Sequence, residues 1–247
     1  MSRPPLVLLH GWGLTPAVWQ PLRARLDPAW PCTVPALPGH ADDAPRPDAP
    51  TLAAWTDALA ARLPAQALVC GWSLGALVAL DLARRYPVKV ARLALIGASP
   101  CFVQRADWAC ALSADVVSGF CRDFAAEPDK TQRRFVALQS LGDAARRDVT
   151  RHLTAALLDA TPERAPGLAD GLDILAQTDL RASLDHITCP VRLLHGAHDA
   201  LMPAAAARAM AERLPDARYS EFAEAGHAPF VSRAAECASL LQGFADD

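Results

Sequence analysis

A serine lies between two glycines in residues 71–75, GWSLG. The apolar run QALVCGW (66–72) precedes it and predicts a buried strand, and SLGALVALDLARRYP (73–87) follows it with a helical pattern. This order is typical of a sharp strand-to-helix turn that exposes a serine hydroxyl at the N-terminus of the helix. Ser73 is therefore a candidate nucleophile. The alternative is a chance match, because short patterns with two glycines are common.

A serine hydroxyl needs a general base, and the base needs a group that orients it. His227 follows the last predicted strand in FAEAGHAPF (222–230), and Asp199 follows another predicted strand in LLHGAHDALMP (193–203). Functional groups of open α/β sheets gather at the C-terminal ends of the strands. We therefore predict that His227 takes the Ser73 proton and that Asp199 fixes the imidazole. The alternatives are a surface histidine and a helix N-cap. Other acid–base candidates are less well placed: His40, His152, His186, His195, His198 and Asp185.

An acyl-transfer site also needs donors for the oxyanion. The loop LLHGWG (8–13) follows the first predicted strand, and Leu74 directly follows the candidate nucleophile. We expect the backbone N–H groups of Trp12 and Leu74 to form the oxyanion hole, with the Trp12 ring as a wall of the pocket. The alternative for HGWG is a simple glycine turn.

Strands alternate with helices over most of the chain, which predicts a doubly wound, mostly parallel sheet of the α/β class. Predicted strands cover 5–11, 33–40, 66–72, 90–99, 190–199 and 217–222, and the clearest helices cover 51–63, 73–87, 203–215 and 232–245. Residues 101–187 contain helical patterns without a convincing strand, and Gly142 is a predicted break between two helices. We expect one structural domain, with a hydrolase-type core in 1–100 and 188–247 and a helical cap in 101–187.

Composition restricts the function classes. The chain has 247 residues, 52% of them hydrophobic, and a formal net charge of −3, which does not indicate binding to nucleic acid or to an anionic membrane. The apolar run near the start is too short for a signal peptide, and no run reaches transmembrane length. The seven cysteines show no CxxC pair and no zinc spacing. We expect a cytoplasmic protein with reduced thiols and without metal or cofactor.

The predicted cap contains a basic segment. Residues 130–151 hold six basic side chains against Asp143 and Asp148, a local charge of +4. Lys130 and Arg134 are four residues apart, as are Arg147 and Arg151, so each pair shares a helix face. The segment is either a solvated surface or a docking surface for an acidic partner. Phe135, Leu138 and Gln139 lie on a neighbouring face that points towards an acyl pocket.

Four stretches together resemble a known family: LVLLHGWG, GWSLGALVA, RRFVALQSLG and AGHAPF. The resemblance, which includes the cap, is to the pimeloyl-[acyl-carrier protein] methyl ester esterases of biotin synthesis. These are α/β-hydrolases with a helical cap after the sixth strand of the fold. They release methanol from a pimeloyl methyl ester that is still attached to acyl carrier protein.

The resemblance implies roles for particular residues. It assigns the triad to Ser73, Asp199 and His227 and the oxyanion hole to Trp12 and Leu74. It assigns substrate contacts to Trp12, Ser73, Leu74, His227 and the stretch Phe135, Val136, Ala137, Leu138 and Gln139. It assigns contacts with the acidic carrier protein to Lys130, Arg134, Arg147 and Arg151. Lys130 stands where arginine is usual, and it lacks the bidentate guanidinium fork.

Other features separate this chain from the family pattern or leave its function open. Family members usually have a β-hairpin before LVLLHG, where this chain has five residues before Leu6, and ADDAP follows LPGH where Gly-x-Ser is common. A smaller sheet is therefore expected. The first alternative function is a general short-chain carboxylesterase or another small-molecule hydrolase with the same triad. The second is a hydrolase fold that serves only for binding, which the complete triad disfavours. We expect a monomer.

Overall fold

A single parallel sheet forms the centre of the protein, whose computed structural model describes residues 3–247. Its six strands are β1 (Leu6–Leu9), β2 (Cys32–Thr33), β3 (Ala67–Trp72), β4 (Val90–Ile96), β5 (Val191–Gly196) and β6 (Ala217–Phe222). They are arranged in the order β2-β1-β3-β4-β5-β6, and every pair is parallel. The C-terminal ends of the strands therefore lie along one edge, which is where an open α/β sheet places its site.

Helices cover both faces of the sheet. They are α1 (Gln20–Arg23), α2 (Leu52–Ala60), α3 (Leu74–Arg85), α4 (Ala114–Ala126), α5 (Pro128–Gln139), α6 (Arg146–Ala155), α7 (Ala165–Gln177), α8 (Ala204–Arg213), α9 (Pro229–Ser232) and α10 (Ala234–Asp246). Short 3-10 helices cover Pro16–Trp19, Pro87–Lys89 and Arg181–His186. No helix in 3–247 is both long and apolar enough to cross a bilayer.

The apolar side chains divide between the two faces as strand geometry requires. In β1, Leu6 and Leu8 belong to one buried cluster, whereas Val7 and Leu9 belong to the other. Successive side chains of a strand point to opposite faces, so a strand covered on both sides is apolar throughout. Residues of α2, α3 and α8 pack in the cluster of Val7, and residues of α1, α9 and α10 pack in the cluster of Leu6.

Four helices, α4 to α7, lie between β4 and β5 and form the predicted helical insertion. The insertion follows the fourth strand of this chain; the expected position after a sixth strand counts two hairpin strands that residues 3–247 do not contain. Gly142 separates α5 from α6 and has a φ of +79°, so the predicted helix break is confirmed.

One predicted strand is much shorter than expected. The run 33–40 was expected to be extended, but β2 contains only Cys32 and Thr33. Pro35 and Pro38 explain the difference, because proline lacks the N–H that a strand must donate to its neighbour. The sheet is also wholly parallel rather than mostly parallel.

Candidate active site

Ser73 occupies a strained turn between β3 and α3. Its φ and ψ are 57° and −119°, a backbone conformation that residues other than glycine rarely adopt. The two glycines allow this turn: a Cβ on Gly71 would lie 2.3 Å from the Gly75 carbonyl oxygen, and one on Gly75 would lie 2.3 Å from that of Leu9. The structure therefore has the geometry of a nucleophile elbow at the predicted position.

His227 lies in the loop between β6 and α9, and its ring is fully buried beside the elbow. The ring centroid is 5.5 Å from that of Trp72, whose Nε1 donates to the His227 carbonyl at 2.8 Å. His227 Nδ1 is 2.7 Å from Asp199 Oδ2, and its Nε2 has no hydrogen-bond partner among the described residues. The nitrogen that a general base uses is thus the unpaired one, while the other nitrogen is fixed by a carboxylate.

Asp199 is buried, and both of its carboxylate oxygens have hydrogen-bond partners. Its Oδ1 accepts the N–H groups of Leu201 and Met202 at 2.9 and 2.8 Å. Its Oδ2 also lies 3.3 Å from Nε2 of His195, a residue that the sequence had placed inside the strand. Burial alone raises the pKa of Asp199, but the charge of His227 and the hydrogen bonds from His195 and His227 outweigh it and hold the pKa well below its usual value. The side chain is therefore a carboxylate at neutral pH.

The two proposed oxyanion donors lie at adjacent strand ends. Leu74 is the first residue of α3, so its N–H has no partner within the helix. Trp12 follows β1, and a Cβ on the neighbouring Gly11 would lie 3.3 Å from the Ser73 Cβ, so the loop passes close to the nucleophile. The Trp12 indole donates to the Leu168 carbonyl at 2.7 Å. Its ring makes edge contacts with Phe120, Phe124 and Phe135 of the cap.

The stretch from Phe135 to Gln139 divides by the direction of its side chains. Phe135 and Leu138 line a narrow apolar cavity of about 50 Å³ within the cap, which Leu201 of the core borders. Val136 packs instead in the cluster of Leu6, on the other side of α5, and Ala137 is half-buried. Gln139 is buried, and its Oε1 has no hydrogen-bond partner within residues 3–247.

The proposed docking cations lie on exposed faces of α5 and α6, and most of them have intramolecular partners. Lys130 pairs with Glu127 at 2.8 Å, Arg134 with Asp123 at 2.7 Å, and Arg151 with Asp148 at 2.7 Å. Arg147 is exposed and makes no ion pair with the residues that the structure describes. Arg134 also lines the apolar cavity, so this cation lies at the boundary between cavity and surface.

Two buried histidines hold the loop of Trp12, although the sequence offered His40 only as a less well placed acid–base candidate and did not single out His10. His10 Nε2 accepts the Leu37 N–H at 3.0 Å, and His40 Nε2 accepts the Gly13 N–H at 3.2 Å. Burial, and for His10 also the charge of His40, lowers the pKa of His10 to about 3, and burial lowers that of His40 to about 4. Both are neutral at pH 7. In the sequence, the sign of this role was a histidine beside a glycine at the end of an apolar run, once after residues 6–9 and once after 33–38.

The fold and the site define a class of protein. A sequence model of the alpha/beta hydrolase family matches residues 6–240. An esterase from Exiguobacterium antarcticum superposes with a TM-score of 0.83 at 20% identity, covering 100% of this chain and 93% of that one. An enol-lactonase from Burkholderia xenovorans superposes with a TM-score of 0.81 at 21% identity, with the same coverage. At these identities the two structures show the fold alone, which is that of an alpha/beta hydrolase.

Closer relatives narrow the class. A pimeloyl-[acyl-carrier protein] methyl ester esterase of Aromatoleum aromaticum is 56% identical over 98% of both chains. A protein of the same name from Nitrosomonas europaea is 39% identical over 93% of this chain and 90% of its own length. The chain belongs to this family of alpha/beta hydrolases, as the motifs and the cap had indicated.

Proposed function

We propose that this chain hydrolyses the methyl ester of pimeloyl-[acyl-carrier protein], releasing methanol and the free ω-carboxylate for biotin synthesis. The observation that carries the proposal is the strained turn at Ser73 beside the buried His227–Asp199 pair. The printed names of relatives up to 56% identical supply the substrate.

Each triad residue has one role in the reaction. Ser73 Oγ attacks the ester carbonyl while His227 Nε2 takes the hydroxyl proton and then gives it to the departing methanol. Asp199 holds His227 Nδ1–H and stabilises the imidazolium. Water then attacks the acyl-enzyme with His227 again as the base. The Trp12 and Leu74 N–H groups stabilise the oxyanion in both steps.

The cap supplies the recognition of substrate. Phe135 and Leu138, which line the apolar cavity, contact the methylene chain, and Gln139 offers its unpaired amide oxygen to a polar group of the substrate. Lys130, Arg134, Arg147 and Arg151 face the acidic carrier protein. Val136, packed on the other side of α5, contributes by supporting the helix. We further propose a monomer in the cytoplasm, where free thiols such as the seven of this chain stay reduced.

A general short-chain carboxylesterase remains the second candidate, and one observation favours it. Three of the four proposed docking cations already pair with carboxylates of this chain. Exposed pairs of this kind are typical of a solvated surface and contribute little to stability. Such an enzyme would use the same triad without the basic surface.

The test compares two substrates: pimeloyl-carrier-protein methyl ester and a free short-chain p-nitrophenyl ester. Ser73→Ala is expected to abolish both activities. Arg134→Glu/Arg147→Glu is expected to reduce only hydrolysis of the carrier-bound ester. The matched control, Arg62→Glu/Arg218→Glu, reverses two exposed arginines outside the cap, one after α2 and one in β6. Equal rates in the cap variant and the control would refute the docking surface and favour the general esterase.

A further inference from the structure

A buried carboxylate joins the cap to the loop of His227. Asp143 lies in the junction between α5 and α6 (residues 140–145), and only 6% of it is exposed. Its Oδ1 accepts the Ala145 N–H at 2.8 Å. Its Oδ2 accepts the Gly226 N–H at 3.0 Å and the Ser232 hydroxyl at 2.7 Å. Asp143 therefore holds the chain on both sides of His227 although it is 83 residues away from Gly226.

Backbone contacts reinforce this connection. The His227 N–H donates to the Gln139 carbonyl at 3.2 Å, and the Ala144 N–H donates to the Glu224 carbonyl at 2.9 Å. A Cβ on Gly226 would lie 2.9 Å from the Leu141 carbonyl oxygen, so only glycine allows this approach. The junction thus packs directly on the loop that carries the proposed base.

The same junction contacts the loop of Asp199. A Cβ on Gly142 would lie 2.6 Å from the Cβ of His198, the residue before Asp199. The His198 N–H in turn donates to the Ala225 carbonyl at 3.0 Å. The loops that carry His227 and Asp199 therefore both contact residues 140–145.

We propose that Asp143 is a positioning residue for the reaction: through Gly226 and Ser232 it holds His227 in register with Asp199 and Ser73. This inference rests on the proposed triad. A carboxylate is suited to the task because it accepts several donors at once, and hydrogen bonds to a charged acceptor are stronger than neutral ones. Without it, the Gly226 N–H is left buried and unpaired, and the loop moves to satisfy it.

A positioning role predicts a loss in kcat with little change in KM, because Asp143 holds the loop of the proposed base and does not bind the substrate. Misplacement of a catalytic group by about 1 Å costs on the order of a hundredfold. We expect Asp143→Ala to lower kcat for the p-nitrophenyl ester by about tenfold to a hundredfold, with KM within about twofold. Asp143→Asn keeps one acceptor oxygen and should retain more kcat than Asp143→Ala. Ser232→Ala, which removes one donor, should have a smaller effect.

The matched control is Asp81→Asn. Asp81 is also a buried aspartate, 1% exposed and paired with Arg84 at 2.6 Å, but it lies in the second half of α3, away from the His227 loop. The Asp81→Asn substitution should lower the midpoint of thermal unfolding without lowering kcat. A second readout is the NMR signal of the His227 Nδ1 proton bound to Asp199, assigned by its absence in His227→Gln. We expect it to broaden in Asp143→Ala and to persist in Asp81→Asn.

The outcomes are distinguishable. If Asp143→Asn and Asp143→Ala lower only the unfolding midpoint, as Asp81→Asn does, and the NMR signal persists, Asp143 merely stabilises the cap and the inference is wrong. If Asp143→Ala does not fold, Asp143→Asn and Ser232→Ala decide by the same criteria. If Ser73→Ala retains activity in this assay, the proposed triad itself fails. Abolition by Ser73→Ala together with the graded kcat series supports both.

Discussion

Asp199 has each of its oxygens occupied in a way that a neutral amide cannot reproduce. Oδ1 accepts two backbone N–H groups, so an asparagine oxygen would take that place and turn its NH₂ towards His227 Nδ1. His227 would then need the opposite tautomer, with Nε2 protonated and unable to act as a base. We expect Asp199→Asn to lower kcat by about 10⁴-fold with the fold intact. Steady-state kinetics with circular dichroism as the folding control tests this, and a loss of less than tenfold would contradict the role of Asp199.

For single residues, the sequence predicted which side chains lie together at the candidate site but not the contacts that hold them there. Ser73, Asp199 and His227 were identified because each follows a predicted strand, and the parallel sheet brings those ends together. His195 and Asp143 were not identified, because their contacts depend on how loops pack. No local pattern shows that Asp143 meets Gly226, since 83 residues, including two cap helices and two strands, separate them along the chain.

Among the elements, the turn at Ser73 leaves almost no room for added atoms. A Cβ on Gly75 would lie 2.3 and 2.5 Å from the carbonyl oxygens of Leu9 and His10, the last residue of β1 and the residue after it. We expect Gly75→Ala to lower the free energy of unfolding by more than about 3 kcal/mol or to prevent folding. Gly243 is the control: it lies in α10 with nothing within 4 Å of a built Cβ. Gly243→Ala should stabilise by up to about 1 kcal/mol. Urea unfolding compares the two variants. If Gly75→Ala changed the free energy of unfolding as little as Gly243→Ala, the turn would have room for a Cβ.

The hydrogen bonds of His10 and His40 join the Trp12 loop to residues 37–40, and their contribution to stability should depend on pH. Burial lowers the pKa values of His10 and His40 to about 3 and about 4 in the folded protein, from an ordinary value of 6.5. The unfolded chain therefore binds their protons more tightly, so stability is complete above pH 6.5 and declines as the pH falls towards 4. At pH 5 each histidine costs about 2 kcal/mol. His40→Gln, which keeps an acceptor for Gly13, should flatten this decline in urea titrations between pH 7 and 4.5. An unchanged slope would show that His40 is not buried as a neutral ring.

The elements were predictable where periodicity determines them and not where proline or tertiary contacts intervene. The helix starting after Thr51 was identified from its cap, and the Thr51 Oγ1 accepts the Ala54 N–H at 3.2 Å. The strand expected at 33–40 is only two residues long, because its prolines have no N–H to donate to a neighbouring strand. The side of α5 on which Val136 lies was set by packing against the core, which helical spacing alone does not reveal.

For the whole molecule, the distribution of charge matters more than its sum. The chain carries a net charge of −3, yet its proposed docking helices present cations. If an acidic carrier protein docks there, association is partly electrostatic and weakens as salt screens it, with a Debye length of about 10 Å at 0.1 M. We expect kcat/KM for the carrier-bound ester to fall several-fold from about 50 to 500 mM salt, while that for the p-nitrophenyl ester stays constant. A parallel decline of both would indicate a salt effect on the fold or the triad.

The intramolecular ion pairs on the cap lead to a prediction opposite in sign to that of charge reversal. Glu127, Asp123 and Asp148 each hold one proposed docking cation, and these exposed pairs contribute little to stability. The triple variant Glu127→Gln/Asp123→Asn/Asp148→Asn frees three cations and raises the local charge by three. It should therefore increase kcat/KM for the carrier-bound ester by about threefold to tenfold at low salt and leave the p-nitrophenyl ester unaffected. The control is Asp27→Asn/Asp246→Asn/Asp247→Asn, which makes the same change in net charge beside Arg3 and Arg218, at the opposite edge of the sheet. Equal gains in both variants would mean that only total charge matters. A loss in the cap variant alone would mean that the carrier protein binds the pairs as they stand, and no change in either would place its docking site elsewhere.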